Sequence, residues 1–421
     1  MARAAAVALW WRARPNSGMG AMASPLPSSA IASTSRHHSM LALVSARAGG
    51  DKPPVLALAS GMRDRGHDVH LLCDGDVAAA VAPTGLPVIN LPRELEQGTF
   101  YDPLHVFRMA QRGETIEADT PDPLVPWART CFPLALAAAE PLQPKLLLST
   151  LFCMPLADRL AAALRVPWVF VNPSFYFGED ARRPWEADFP GLVAGMFRHW
   201  VLPLVRRADA VLHATDPVFD PPPASLPANH HYIGPLDREP QPVGTETAFL
   251  SEPGAPWVLI TLSTVPQAGE LALARAALDA LADRPVRVLL TLAPGHARDE
   301  LGPIPANARV QGFVPHGPVL DRACLMVGHA GHGMVMKALR HGVPMVLVPW
   351  GRDQPGVAVR AEAMGVAEVV PRSECSAGRV MRAVARLLDN PGYTEAARRA
   401  SDRLRADDPL GRACGITEGL L

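Results

Sequence analysis

The sequence predicts an α/β protein made of two Rossmann-like β/α/β domains facing each other across a cleft, and three observations carry that prediction. Short buried-strand patterns alternate with amphipathic helix patterns, which is how a parallel, doubly wound sheet is written. The alternation stops in a proline-rich stretch and restarts at Trp257, so the arrangement is built twice. In the second series an apolar strand runs into the glycine-rich turn Val327-Gly-His-Ala-Gly-His-Gly333 and then a helix. Helix-start amides in that setting bind anions.

Composition bounds the function. A chain of 421 residues is too long for one ordinary core, and two domains is the simplest division. With 48% apolar and 19% charged residues, it has the material for large cores. A formal net charge of −1 supplies no basic field for nucleic acid. The six cysteines are scattered without a C-x-x-C, which argues against a zinc site or disulfide framework and for reduced thiols in the cytoplasm. No uninterrupted apolar run reaches the length of a membrane span.

In chain order, residues 1–39 are expected to be a disordered or spurious leader: the first 50 residues hold no Asp or Glu, and the apolar segment is short even for a signal peptide. Residues 40–219 form the first domain. Strands are expected at 39–45, 68–73, 86–91, 145–149, 168–171 and 210–214, with helices at 55–65, 77–82 and 155–164. The apolar stretch 191–206 is expected to be a core helix kinked by Pro203, with peripheral membrane contact as the alternative. Residues 220–256, rich in proline, read as a linker. Residues 257–405 form the second domain, with strands at 257–262, 286–292, 308–314 and 324–327 and helices at 270–282, 376–388 and 394–405. Residues 406–421 form a tail that returns to the first domain.

The residues His329-Ala-Gly-His-Gly-Met334, Gly342-Val-Pro344 and Asp353-Gln-Pro355 resemble the donor-binding signature of the GT-B nucleotide-sugar glycosyltransferases. The likeness extends to Gly50-Asp-Lys-Pro-Pro54, Arg65-Gly-His-Asp-Val69, Thr261-Leu-Ser-Thr264 and Gly312-Phe-Val-Pro-His316, and covers the chain from Met40 onward. It implies that His329 contacts a donor diphosphate, with Gly331, His332 and Gly333 supplying amides, and an imidazole with helix-start N–H groups does complement such a leaving group. It implies further that Asp353 and Gln354 bind sugar hydroxyls, to which they offer acceptors and a donor. Phe313 would stack on the base, with the Val314 backbone at its edge. Ser263 and Thr264 bind phosphate or sugar oxygens, or cap the helix that follows.

Many members carry a histidine base in the first βα loop. Here that loop reads Gly50-Asp51-Lys52-Pro53-Pro54, which resembles the G-D-x-x-P of sterol and glycopeptide-antibiotic glycosyltransferases. Asp51 is therefore the candidate base, and His67, in a helix-to-strand turn, is structural. The implied protein is an inverting, metal-independent hexosyltransferase that uses a UDP- or dTDP-sugar as co-substrate, without a cofactor, on a hydroxylated apolar acceptor. Lys337 stands where many members have a ribose-binding glutamate, and Ala330 and Met334 replace the common glycine and threonine. These departures motivate one alternative, a non-catalytic nucleotide-sugar-binding relative. A dinucleotide oxidoreductase is the other, but Gly328, Gly331 and Gly333 do not form G-x-G-x-x-G.

Overall fold

The computed structural model describes residues 37–421 apart from 46–48, 76, 78–80, 101–108, 110–111, 113, 179–180, 182–190, 238–246, 266, 294 and 313. Two all-parallel sheets organise it. The first contains β1 (Ser39–Ser45), β2 (Asp68–Asp74), β3 (Val88–Leu91), β4 (Leu146–Ser149), β5 (Trp168–Asn172), β6 (Ala210–His213) and β7 (His230–Tyr232), in the spatial order 3-2-1-4-5-6-7. The second contains β8 (Trp257–Thr261), β9 (Arg287–Thr291), β10 (Ala308–Gln311), β11 (Ala323–Gly328), β12 (Met345–Leu347) and β13 (Ala367–Val369), in the order 10-9-8-11-12-13.

Burial follows position in each sheet. Central β8 and β11 are buried at every residue, as strands covered by helices on both faces must be. The edge strands β3 and β10 leave half or more of their residues partly or fully exposed, and β10, Ala-Arg-Val-Gln, is correspondingly more polar. The longer helices are α1 (Lys52–Asp64), α2 (Leu124–Ala139), α3 (Met154–Leu164), α4 (Leu271–Leu281), α5 (His332–Arg340), α6 (Gln354–Ala363), α7 (Ala377–Asp389), α8 (Pro391–Ala406) and α9 (Pro409–Glu418). Pro53 and Pro54 open α1, where a missing N–H costs nothing and the fixed φ suits the helix.

Strand order reverses between β1 and β4 in the first sheet and between β8 and β11 in the second. Loops on either side of such a reversal part, and ligands of open α/β sheets bind in the gap. Asp51 precedes α1 on the connection from β1, Ser263 and Thr264 follow β8, and His329 to Gly331 follow β11. The topology thus puts these loops at the two switch points.

Three departures from the expected elements have physical causes. The segment 220–256 carries β7, a three-residue strand of the first sheet with no apolar run to announce it. The strand expected at 308–314 ends at Gln311. In the stretch 191–206, Phe197–Val201 takes π geometry between two short α segments. Pro203 has no N–H to donate one turn back, so the helix widens there. Most of the helix expected at 77–82 lies outside the described residues.

The last helix, α9, packs on α1 of the first domain: Arg65 reaches Glu418 at 2.7 Å, and Arg412 donates to the Ile233 carbonyl at 2.6 Å. His67 belongs to this seam, with one ring nitrogen 3.3 Å from Glu418 and the other accepting from the His38 amide at 3.4 Å. Among the described residues, no helix is long and apolar enough to cross a membrane.

Candidate active site

The site is built where the first-domain loops meet those of the second. Asp51, the N-cap residue of α1, makes no capping bond; its side chain is buried, and Oδ2 has no hydrogen-bond partner. Burial pushes its carboxyl up to about 6, against the opposing pull of Lys52, Arg352 and the Phe152 backbone. A carboxylate with that pKa and an open oxygen can accept a proton near neutral pH.

On the other side, β11 delivers His329 into the turn ahead of α5. Ala330 holds φ +65°, an αL conformation that costs a non-glycine residue free energy and aims the turn. Gly331 lies so close over the imidazole that a Cβ there would fall 2.5 Å from His329 Nε2. His329 Nδ1 is buried without a partner, while the ring meets the Thr261 backbone. Burial, with Arg352 adding to it, lowers its pKa to about 4. Gly331 is the N-cap of α5, so the amides of His332 and Gly333 begin the helix beside this ring.

The other expected site residues take more varied places. Ser263 is buried; its amide donates to Glu270 Oε2 at 3.4 Å, and its Oγ accepts from Arg352 at the same distance. Glu270 is itself fully buried and meets His296 Nε2 at 2.7 Å, so a buried carboxyl–imidazole contact backs this loop. Thr264 is exposed, and neither it nor Ser263 caps α4. The His332 side chain turns toward the first domain, with Nε2 2.9 Å from Thr215 Oγ1 and the ring edge-on to Phe219. Asp353 Oδ2 accepts from Ser174 Oγ at 2.6 Å, and burial raises its pKa. Gln354 is buried, with Oε1 accepting from the Trp350 and Gly351 amides at 2.8 and 3.0 Å, so its carbonyl shapes the loop it follows. Val314 is a core residue, and Phe313 lies outside the described residues.

Lys337 neither points to solvent nor stands unpaired: its ammonium meets Asp237 at 2.8 Å. It also helps burial lower the pKa of His316 to about 4.

Arg352 was not singled out in the sequence. Its signal is a lone cation immediately ahead of the Asp-Gln pair, and in the structure it sits at φ +58° within electrostatic reach of Asp51, His329 and Asp353. Ser174, Thr215 and Trp350 also escaped notice. The first two matter only once the domains meet. Trp350 forms a wall held by Ala268 at 3.0 Å and by the Arg372 guanidinium 4.6 Å above its ring.

Two parallel-sheet domains with their switch-point loops opposed define the GT-B architecture, and solved structures share it. The glycotransferase of kitacinnamycin superposes with a TM-score of 0.69 at 23% identity, covering 92% of this chain and 99% of that one. The spinosyn rhamnosyltransferase complexed with thymidine diphosphate does so with a TM-score of 0.65 at 19% identity, covering 89% and 98%. Within the second domain and beyond it, residues 275–411 match the erythromycin biosynthesis protein CIII-like, C-terminal domain family. Among curated proteins, the 4'-demethylrebeccamycin synthase of Lentzea aerocolonigenes is 34% identical over 238 residues, 56% of this chain and 55% of that protein. The chain spans about half the length of the first curated relatives it matches. The resemblance to GT-B glycosyltransferases drawn from the sequence is borne out by this fold and by these relatives.

Proposed function

We propose that this protein is an inverting glycosyltransferase that moves a hexose from a UDP- or dTDP-sugar to a hydroxyl of an apolar small-molecule or lipid acceptor. The observation that carries this reading is a pair of orphaned buried atoms, Asp51 Oδ2 on one switch-point loop and His329 Nδ1 on the other. Buried polar atoms are rarely left without partners, and a substrate hydroxyl and a diphosphate oxygen would satisfy these two. That the spinosyn rhamnosyltransferase is complexed with thymidine diphosphate supports a nucleoside diphosphate as the donor's leaving part.

In the reaction, Asp51 takes the acceptor's hydroxyl proton as that oxygen bonds to the anomeric carbon. The bond from that carbon to the β-phosphate oxygen breaks, and its electron pair leaves with the diphosphate. His329 and the first amides of α5 stabilise the departing charge in the role a cation would otherwise take. Attack opposite the leaving group inverts the anomeric carbon. The paired Lys337 is not offered to a ribose, which fits a nucleotide read mainly through its phosphates.

Asp51→Asn keeps the shape and removes the base. Transfer to a panel of hydroxylated aglycones, followed by mass spectrometry with UDP- and dTDP-hexoses, is expected to fall by roughly 10²-fold or more. Calorimetric binding of dTDP or UDP should survive. Undiminished transfer would remove Asp51 from the mechanism, and nucleotide binding without any transfer in the unmodified protein would favour the non-catalytic relative.

A further inference from the structure

We propose that Arg352 is a positioning residue of the transfer reaction: carried by the second domain, it lies across the closed cleft from Asp51 and favours that carboxylate's anionic form when the domains meet. The proposal rests on the glycosyl-transfer reading and adds to it a means by which domain closure readies the base.

The geometry begins with the contact between loops. Gly49, two residues before Asp51, packs so tightly on the second domain that a Cβ there would lie 2.9 Å from Val265 Cγ2. The loop bearing Val265 is the one Arg352 grips: its guanidinium reaches Ser263 Oγ at 3.4 Å and the Val265 carbonyl at 3.3 Å. The αL backbone of Arg352 fixes the direction of this reach at some conformational cost, which loops retain chiefly where a side chain must point one way. The loop holding the base and the loop holding the cation therefore share one contact surface.

Other groups also face Asp51. Lys52, on its own helix, acts on it more strongly than Arg352 and is itself flanked by Asp74 and Cys73 on β2. The Cys153 thiol and the Phe152 amide approach from the connection after β4. All of these belong to the first domain and stay with Asp51 whether the cleft is open or shut. Arg352 is the charge among them that arrives with the second domain. It is exposed, so solvent screens it and its influence is moderate.

The test follows the Asp51 carboxylate directly. Difference infrared titration of the full chain against Asp51→Asn isolates its signal and requires no turnover. The unmodified protein is expected to titrate near pH 6. Arg352→Gln should move that midpoint up by about half a unit to one unit, and Arg352→Lys, which keeps the charge, should restore most of the difference. The acid limb of kcat/KM should shift in the same direction, with dTDP affinity in calorimetry changed by less than about threefold. An unmoved Asp51 midpoint in a folded Arg352→Gln protein would overturn the proposal. So would an unmoved midpoint with dTDP affinity reduced about tenfold or more, since Arg352 would then be a ligand of the diphosphate. A shifted midpoint in a protein that transfers no sugar would support the coupling while counting against the transfer reading.

Discussion

At the scale of single residues, the site is defined by groups whose ordinary charge burial suppresses. His329 shows the consequence for binding. With Nδ1 unpartnered and the ring turned to the Thr261 backbone, the remaining ring proton is assigned to Nε2, which leaves a lone pair facing the ligand position. A neutral imidazole in that state cannot donate to a diphosphate; a protonated one can. Its pKa of about 4 when free must therefore rise when the anion binds. The sign follows from linkage: the complex holds more protons than the free protein between the two pKa values, so affinity for dTDP strengthens as pH falls from 8 toward 5. Calorimetry in buffers of different ionisation enthalpy should register proton uptake. His329→Ala should abolish that uptake and weaken binding roughly ten- to a hundredfold, the worth of one charge-assisted hydrogen bond. Proton release on binding would reverse the assignment of the tautomer. The base behaves in the opposite sense. Asp51 titrates near 6, above the ordinary value of 3.8, so the ionised form needed for catalysis is lost as pH falls through 6 and transfer should fall with it.

At the scale of elements, the turn between β11 and α5 places the imidazole and the helix amides together, and Gly331 makes that possible. Its backbone, at φ −64° and ψ 130°, is open to any residue, so conformational strain is not what selects glycine there. The constraint is space: Gly331→Ala drives a methyl to 2.5 Å from His329 Nε2, and the ring must swing aside. The expected result is a fold unchanged by circular dichroism, a modest loss of stability on the order of 1–3 kcal/mol, and nucleotide affinity lowered about as far as in His329→Ala. Undisturbed affinity would mean that the ring's position is not what binds. This turn was legible in the sequence because its glycines and histidines are adjacent in the chain, and the central strands were legible because β1, β8 and β11 are unbroken apolar runs. The strands β7 (His-His-Tyr) and β13 (Ala-Glu-Val) were not, since short edge strands carry no run or alternation long enough to mark them. The loop 350–354 was half legible. Asp353 and Gln354 stood out, but Gln354 bonding back to its own loop and Arg352 reaching the loop of Ser263 and Val265 depend on a local bend that chain order does not reveal.

At the scale of the molecule, the two domains are joined by polar contacts between residues far apart in sequence, which is why none was foreseen. Ser174 meets Asp353, Thr215 meets His332, Asp216 meets Arg403 and Asp220 meets Arg360, with every first-domain partner on the connections after β5 and β6. Two of these contacts engage residues expected to bind the donor, Asp353 through its side chain and His332 through its amide, so closure and donor binding draw on the same residues. The Asp220–Arg360 ion pair is deeply buried, at 2.9 Å with side chains 5% and 9% exposed. Asp220 Oδ2 also accepts from the Tyr176 amide at 2.7 Å and the Tyr232 hydroxyl at 3.0 Å, while the Arg360 guanidinium lies 4.0 Å over the Phe175 ring. A buried pair so fully satisfied need not stabilise the protein more than apolar side chains of the same volume would, but breaking it strands a charge. Arg360→Met leaves the Asp220 carboxylate buried with only neutral donors and is expected to cost about 3–5 kcal/mol in urea denaturation. In Asp220→Asn with Arg360→Met no charge remains to be stranded, so the double variant should be more stable than Arg360→Met alone, with a coupling of roughly 1–3 kcal/mol. If the pair belongs to the closed arrangement, a saturating nucleotide should stabilise the single variant less than it does the unmodified protein, because part of the binding free energy would go to closing the domains without that contact. Equal stabilisation by nucleotide in both would show that the ion pair holds the domains together without sensing what binds between them.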